Sequence, residues 1–572
     1  MGHEILASPF TFQVKKRVTI SQLCEPMILN MKDITKLRTL VQRQYRVHLQ
    51  FDDLPVIMRL KTSSIDYAVT GYPIGFRAPP EYSGLKTVES FLYNHLKFKI
   101  LYREKPDEFS GIRIVGFQVI PGSYKHEFDK AGDLVVPKAI SNHPDTNLVL
   151  APEKDKKELK VAYTYEVEWE ITDMYWSDRW DIYLAGNPDE DVHLYAVMNS
   201  LMISLFMTAI VVTVMLRTLK KEINSYNSSI GLLEDDFEDP NSADNGWKLV
   251  HGDVFRTPTG FSSLFLSIAV GTGTQIATTM LLMIVFMALQ LTNPLDKSRL
   301  LTSIIMLFVF SSSASGYMSA RIYKLCGGKD WKMNTLYTAA AFPGFLVCAF
   351  MMLNICLGIV DAASSVSFLT ILSVFLLWVC VSTPLAFVGS YLGFRQEKIS
   401  IPTRVNQIAR VIPTLDETNS TGWSRLSVAP ISYLVSGSLP FGSICIEMFF
   451  VMNAIWLKQV YYMAGIFACV LFVMVITTAQ VSVVLCYLQL CVEDHRWWLR
   501  SFFNGASTGM YLFAYAIWFL VTKLNLVGAL TVVVYLTYMF MISTTVALFL
   551  GSIGFLSCLW FNKSIYGALK VD

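Results

Sequence analysis

Few residues of this sequence have a type and spacing that suggest chemistry, and Glu447 is the clearest of them. It lies in the apolar stretch LPFGSICIEMFF. An acid inside a membrane span is costly, so it indicates either an ion-coupling or polar-substrate site or a carboxyl that links two helices by hydrogen bonds. Pro440 and Gly442 precede it and predict a kinked or unwound helix, which favours a functional role slightly. The sequence leaves both interpretations open.

A second concentration of polar and aromatic residues is the stretch GWKLVHGDVFRTP, between two apolar regions. His251 and Asp253 lie two residues apart without a third ligand nearby, which does not favour a metal site. We interpret the stretch as a structured clasp at the membrane edge, with Trp247, Val250 and Phe255 at the headgroup boundary. Lys248 and Arg256 would contact lipid phosphates or neighbouring loops. The candidate clasp residues are Trp247, Lys248, His251, Asp253 and Arg256.

Other motifs that could carry chemistry are scarce. GTGTQ at 271–275 lacks the lysine of a phosphate-binding loop and is better explained by close helix packing. The eight histidines show no metal-ligand spacing, and the ten cysteines form no CxxC pair. The net charge of +2 gives no sign of a nucleic-acid partner. We therefore expect no catalytic residue, no metal and no cofactor.

The composition of the chain indicates which secondary-structure elements position these residues. The 572 residues are 53% hydrophobic and only 16% charged, which is typical of a polytopic membrane protein. Residues 1–192 differ, since they contain short alternating segments rich in β-branched and aromatic residues: RVTI, YRVHLQF, LKFKILY, RIVGFQVI and YTYEVEWEI. This pattern predicts a largely antiparallel, sandwich-like β domain.

From residue 193 onward, hydropathy predicts nine transmembrane helices, with an uncertainty of about one. The first covers residues 193–216, and a cytosolic loop with the GWKLVHGDVFR motif covers 217–261. Residues 262–560 then hold an interfacial helix and spans two to nine, with the second span starting near Thr272. The connections predicted to be cytosolic hold 18 Lys and Arg, against 4 on the opposite side. This bias predicts a luminal β domain and a cytosolic tail at 561–572.

Several long strings, in the same order along nearly the whole chain, resemble the nonaspanins, the transmembrane-9 superfamily. They include GWKLVHGDVFR, SLPFGSICIEMFF and YLQLCVEDHRWWLRSFFNG, together with GYPIGF and RIVGFQVIPGSY in the first domain. The sequence departs from the family pattern at Gln480, where a membrane glutamate is usual, and at Ala409, where a proline is usual.

The resemblance implies a non-enzymatic protein of Golgi and endosomal membranes that assists sorting and surface delivery of other membrane proteins, with roles in adhesion or phagocytosis. It also implies a C-terminal K-x-D signal that binds the COPI coat, matched here by Lys570 and Asp572. Expected partners are client membrane proteins, the COPI coat and membrane lipids. The alternative is an ion or small-solute transporter or channel that uses Glu447.

Overall fold

The structure is a computed structural model, and it forms two compact units that divide near residue 192. The described residues are 8–52, 54–61, 66–78, 89–128, 134–135, 147–151, 158–183, 195, 198–213, 216–217, 246–289, 291–292, 297–359, 366–412, 429–456, 463–524, 526 and 529–567.

The first unit is rich in strands, as predicted, and its described residues also contain one α-helix and two short 3-10 helices, Trp176–Asp178 and Asp181–Tyr183, that were not predicted. Its strands are β1 (Val18–Gln22), β2 (Met27–Asn30), β3 (Arg46–Val47), β4 (Gln50–Phe51), β5 (Leu54–Pro55), β6 (Ile57–Lys61), β7 (Asp66–Thr70), β8 (Tyr72–Pro73), β9 (Gly75–Ala78), β10 (Glu89–Leu92), β11 (His95–Arg103), β12 (Arg113–Gly122), β13 (Glu127–Phe128), β14 (Leu134–Val135), β15 (Glu158–Val161) and β16 (Thr164–Ile171). The helix is α1 (Met31–Gln42), which buries Ile34 and Val41.

The largest sheet has six strands in the order β1-β16-β11-β12-β6-β7. The pairs β11–β16 and β12–β6 are parallel, and the other three pairs are antiparallel. The remaining sheets of the described residues have two antiparallel strands each, so the largely antiparallel character predicted from sequence is confirmed, while the sandwich-like arrangement stays a prediction. Alternation identifies a strand and its buried face, but it does not specify the partner or the direction of pairing. Phe98, Phe117 and Val167 fill the buried face of this sheet.

The second unit is helical. Its helices are α2 (Met198–Thr213), α3 (Gly246–Leu249), α4 (Phe261–Ala288), α5 (Lys297–Phe310), α6 (Ser312–Leu325), α7 (Trp331–Ile359), α8 (Phe368–Leu377), α9 (Thr383–Arg395), α10 (Ala429–Trp456), α11 (Met463–Cys491), α12 (Trp497–Thr522) and α13 (Ala529–Gly567). A π-helical turn, Trp378–Ser382, joins α8 to α9 just before Pro384. Proline has no backbone N–H to donate to the preceding turn, so the regular helical hydrogen-bond pattern is interrupted here.

The described residues contain seven helices that are long and apolar enough to cross a membrane, or eight if a bent pair within α10 counts as one span. The shorter apolar helix α2 falls at the position of the first predicted span. These helices cover the regions where the nine spans were predicted, and they confirm the polytopic helical class.

One predicted feature is absent from α4. The helix runs without interruption from Phe261 to Ala288, so the prediction of a separate interfacial helix before Thr272 is wrong. The residues before Thr272 contact the rest of the helical unit, since Leu266 and Val270 are fully buried in it. Gly271 lies directly against Ser319 of α6. At about 1.5 Å per residue, the 28-residue helix is long enough to cross the hydrocarbon and extend beyond it.

Small residues allow the helices to pack closely. A side chain at Gly316 of α6 would collide with the carbonyl oxygen of Ala386 on α9, and one at Gly389 would collide with that of Ser313. Gly505 of α12 has the same relation to Leu550 of α13. Close backbone approach is the usual means of helix association in lipid, where apolar burial gives no preference for a protein neighbour.

Candidate functional site

Glu447 lies inside the helical unit and bonds a second helix. Its side chain is on α10, and the residue is only 1% exposed. Ser200 Oγ, on α2, donates a hydrogen bond to Glu447 Oε1. Glu447 Oε2 is buried and has no hydrogen-bond partner among the described residues. The carboxyl group therefore links two helices and keeps one polar atom for a further interaction, which burial makes favourable.

The link between α2 and its neighbours continues along one face of α2. Gln480 Nε2, on α11, donates to Thr208 Oγ1 over 2.7 Å, and Thr208 Oγ1 donates to Ser204 O over 2.8 Å. Gln480 Oε1 is buried without a partner in the described part of the chain. We call Ser200, Glu447, Thr208 and Gln480 the polar seam. Its two contacts on α2 are eight residues, or about 12 Å, apart along the helix axis.

The helix that carries Glu447 is broken next to it. The segments Pro430–Ser443 and Cys445–Asn453 of α10 are inclined by 66°. Pro440 has no N–H to donate, and Ser443 Oγ bonds the Pro440 carbonyl over 2.8 Å. A side chain at Gly442 would meet open space. The kink predicted from Pro440 and Gly442 is confirmed, and it brings irregular backbone close to the buried carboxyl.

The stretch from Gly246 to Pro258, which we call the clasp, is buried in protein. Trp247 is 6% exposed, Phe255 3% and Val250 fully buried, so these side chains contact protein, and their position at the headgroup boundary stays a prediction. They join one hydrophobic core with residues of α4, α6, α11, α12 and α13. Two hydrogen bonds fix the clasp there: Trp497 Nε1 donates to Val254 O over 2.8 Å, and Tyr566 OH donates to Trp247 O over 2.7 Å. The clasp thus ties together helix ends that are far apart in sequence.

The polar side of the clasp holds the loop after α9. Asp253 is 2% exposed and accepts hydrogen bonds from Arg256 Nη2 at 2.6 Å and Nε at 3.0 Å, and from the backbone N–H of Arg410 at 3.2 Å. Arg256 Nη2 also donates to Asn406 O over 2.7 Å. Asn406 N donates to Gly252 O over 2.9 Å, and any side chain at Gly252 would overlap Asn406. The predicted contact of Arg256 with a neighbouring loop is therefore present.

Two clasp residues lie at its surface. His251 is exposed, and its Nδ1 donates to Lys248 O over 2.9 Å. Lys248 Nζ lies 5.8 Å from the centre of the Trp247 ring. The described part of the chain contains no group of three or more His, Cys, Asp or Glu side chains placed to hold a metal ion. The clasp has the geometry of a structural joint, with one exposed histidine.

The fold and the two sites can now be compared with known proteins. The family model described as Endomembrane protein 70 matches residues 1–529. Transmembrane 9 superfamily member 10 of Arabidopsis thaliana is 35% identical over 578 residues, which cover 100% of this chain and 87% of the relative. The chain belongs to the transmembrane 9 superfamily.

Other members of this superfamily are similarly close. Putative phagocytic receptor 1a of Dictyostelium discoideum is 35% identical over 582 residues, covering 100% of this chain and 87% of its own. Human transmembrane 9 superfamily member 2 is 34% identical over 590 residues, which cover 100% of this chain and 85% of the relative. No solved structure matches the chain significantly. Family membership and the apolar helices together make this an integral membrane protein.

For this transmembrane 9 superfamily chain, sequence reasoning identified Glu447 and the clasp but missed their partners. Ser200, Ser204 and Thr208 recur every four residues in an otherwise apolar helix, and this spacing was the available signal for the polar seam. Trp497 and Tyr566 gave no such signal, because their hydrogen bonds reach carbonyls more than two hundred residues away. Lys570 and Asp572, which were predicted to form a sorting signal, lie outside the described residues.

Proposed function

We propose that this protein is a non-enzymatic component of Golgi and endosomal membranes that binds other membrane proteins and assists their sorting and surface delivery. Membership of the transmembrane 9 superfamily supports this proposal. The Dictyostelium relative is named a putative phagocytic receptor, which fits a further role in adhesion or phagocytosis. The proposal requires a face of the helical unit on which a client span can pack.

The observation that carries the proposal is the open outer face of α7. Only 11% of the residues in the most apolar part of Trp331–Gly358 are buried, whereas 50% are buried in the corresponding part of Phe261–Ala288. Most helix glycines, such as Gly271, Gly316 and Gly505, are already filled by neighbouring helices of the same unit. Gly344 of α7 differs, since a side chain there would meet open space. We infer that client spans pack along α7 near Gly344, where two backbones can approach closely.

The test uses a Gly344→Leu variant and a single-span reporter protein with a glycine-containing span. We expect the variant to reduce both photo-crosslinking of α7 to the reporter and its delivery to the cell surface. Gly358→Leu is the matched control, because Gly358 is also open but lies about 21 Å further along the same helix. Normal crosslinking and delivery with Gly344→Leu would show that clients do not use this face.

We further propose that the strand-rich unit is luminal and that the C-terminal tail is cytosolic and binds the COPI coat through Lys570 and Asp572. The distribution of Lys and Arg and the family resemblance support this orientation. Replacing both residues with alanine should move the protein out of the Golgi and change the surface level of its clients. A double variant that stays in the Golgi with undisturbed clients would contradict the retrieval role.

A second function, ion or small-solute transport, is favoured by one specific observation. Glu447 is buried beside a 66° helix break and retains an unpartnered oxygen. Broken helices and buried acids are typical of transporter sites. Transport predicts that Glu447→Gln abolishes a flux measured in reconstituted vesicles, while Ser438→Ala, on an exposed part of the same helix, leaves it unchanged. Absence of any Glu447-dependent flux would leave the carboxyl as a helix link.

A further inference from the structure

The strand-rich unit contains two buried histidines that share one hydroxyl group. His95 is 5% exposed, His126 7% and Thr164 2%. Thr164 Oγ1 lies 2.9 Å from His95 Nδ1 and 3.2 Å from His126 Nε2. The three residues come from the start of β11, the segment after β12 and the start of β16. They therefore join three parts of the unit at one point.

The hydrogen-bond partners assign a proton position to each ring. Asn94 Oδ1 accepts a hydrogen bond from the backbone N–H of Tyr124 over 2.8 Å, which fixes the orientation of the amide. Asn94 Nδ2 donates to the carbonyls of Tyr124 and Ala162, over 2.8 Å and 3.1 Å, and also lies 3.1 Å from His126 Nδ1. This ring nitrogen therefore faces a donor group and carries no proton. His126 carries its proton on Nε2 and donates to the Thr164 hydroxyl. That hydroxyl in turn donates to His95 Nδ1, so both histidines are neutral.

An additional proton on either ring would break this chain. A proton on His126 Nδ1 would point at the N–H groups of Asn94. A proton on His95 Nδ1 would leave the Thr164 hydroxyl with two donors facing its oxygen and no acceptor for its own hydrogen. Buried donors without acceptors are unfavourable, and two charged rings sharing a neighbour would also repel each other. The closed arrangement consequently accommodates only the neutral rings.

We propose that this cluster is an acid-sensitive latch: protonation of His95 and His126 releases the segment Ser123–Phe128 and the start of β16 from β11. Backbone hydrogen bonds mark the contact that would open. Thr164 N donates to Asn94 O over 3.0 Å, and Asn94 N donates to Gly122 O over 3.1 Å. Opening changes the shape of the strand-rich unit without any ligand. The inference goes beyond the proposed sorting function and does not depend on it.

The charged groups around the cluster do not cancel the effect of burial. Glu166 Oε1 lies 3.8 Å from His95 Nε2 and favours protonation, but Lys97 opposes it and itself pairs with Glu168 at 3.0 Å. Tyr124 contributes a ring, 5.2 Å from that of His126. Burial, the other histidine and Lys97 lower the pKa of His95 to about 4, and burial lowers the pKa of His126 to about 4.

The sign of the pH dependence follows from these values. A histidine in the opened segment has its ordinary pKa near 6.5, so it binds a proton more readily than in the closed state. The closed state is fully favoured above that pH and loses stability as the pH falls towards about 4. Between about pH 8 and pH 5, each histidine should increase the opening equilibrium about 30-fold. Histidine switches commonly operate in this range.

Hydrogen exchange of the full-length protein in lipid nanodiscs tests the proposal. Exchange is compared at about pH 8 and pH 5 after division by the rate of an unstructured peptide at the same pH. We expect protection to fall at least about 30-fold in peptides that contain Asn94, Tyr124 and Thr164, and to return when the pH is raised. Unchanged protection of these peptides in the wild-type protein would overturn the proposal without any variant.

Two variants separate the latch from general acid sensitivity. A His95→Gln, His126→Gln double variant replaces each ring with a neutral amide that can both donate and accept, so it should keep similar protection at both pH values. His48→Gln removes an exposed histidine of the same unit and should leave the acid response intact. If the double variant retains the full acid response, the latch is refuted. If it is too unstable, the single His126→Gln variant should lose about a 30-fold part of the acid response, and an unaltered response would refute the latch equally.

Discussion

Replacing Asp253 with asparagine should detach the loop that follows α9 from the clasp. The substitution keeps the shape of the side chain but removes its charge. In the structure the two carboxylate oxygens accept two hydrogen bonds from the Arg256 guanidinium and one from the Arg410 backbone N–H. An amide has one acceptor oxygen, so its NH₂ group must face one of these donors. At least one donor is left without its partner.

The size of the free-energy loss caused by Asp253→Asn follows from the burial of the pair. Asp253 has a side chain only 3% exposed, and the side chain of Arg256 is 30% exposed. Hydrogen bonds to a charged group contribute about 1.5–3 kcal/mol, and Arg256 can recover part of this through water. We expect a loss of about 2 kcal/mol, which raises the opening equilibrium of the loop about 30-fold. The comparison variant is Glu493→Gln, which breaks a 2.7 Å pair with Arg410. Its arginine side chain is 41% exposed, so less than about 1 kcal/mol is expected.

Hydrogen exchange of the Asn406 amide is the measurement. This N–H bonds Gly252 O and does not contact the substituted group, so its exchange reports opening of the loop itself. The Asp253→Asn variant should lose protection about 30-fold, and Glu493→Gln only a few-fold. Equal effects of the two variants would refute the reasoning, since the argument depends on the buried pair being stronger than the exposed one.

Three further predictions concern thermal unfolding in detergent. Ser200→Ala should cost about 1 kcal/mol by removing the donor to the buried carboxyl of α10, whereas Thr213→Ala, on an exposed part of the same helix, should cost less. Gly389→Ala should cost about 1–3 kcal/mol through collision with a backbone carbonyl, and Gly344→Ala should cost nothing because the site is open. Tyr566→Phe should cost about 1–2 kcal/mol by leaving a buried carbonyl of the clasp without its donor. For Ser200→Ala and Gly389→Ala, a loss of stability smaller than that of the control variant would contradict the argument. For Tyr566→Phe, an unchanged stability would contradict it.

The sequence predicted those features that depend on local pattern. Alternation located β11, β12 and β16, and apolar length located the spans, because both are decided within about twenty residues. The parallel pairing of β11 with β16 could not be predicted, since it joins segments about 70 residues apart in either of two directions. The uninterrupted α4 also depends on tertiary packing. The length of the apolar run suggested a break, since it exceeds the roughly 20 residues that a span needs. The first half of α4 is buried instead because Leu266, Ala269 and Val270 pack into a core shared with α6, α11, α12 and α13.

The clasp shows the same limit at a functional site. Its aromatic and basic residues are typical of a membrane interface, and this residue type predicted that Trp247 lies at the headgroups. The structure instead buries this side chain among residues of α4, α6, α11, α12 and α13, and its hydrogen-bond partner Tyr566 lies more than three hundred residues later. Residue type predicted that the clasp lies at the helix ends. Which of its side chains face protein depends on residues of other helices, which residue type does not identify. Asp253 was identified as a candidate, but its role in holding the loop required the position of Arg410.

The polar seam clarifies why Gln480 matters in this chain. Thr208 Oγ1 uses its own hydrogen to bond Ser204 O, so it can only accept from residue 480. The Gln480 amide supplies the required N–H, whereas a carboxylate at this position could only accept. An ionised glutamate here would force Thr208 to abandon its bond within α2. Glutamine therefore gives a link between α2 and α11 that does not change with protonation, and of the four seam residues only Glu447 remains able to respond to pH.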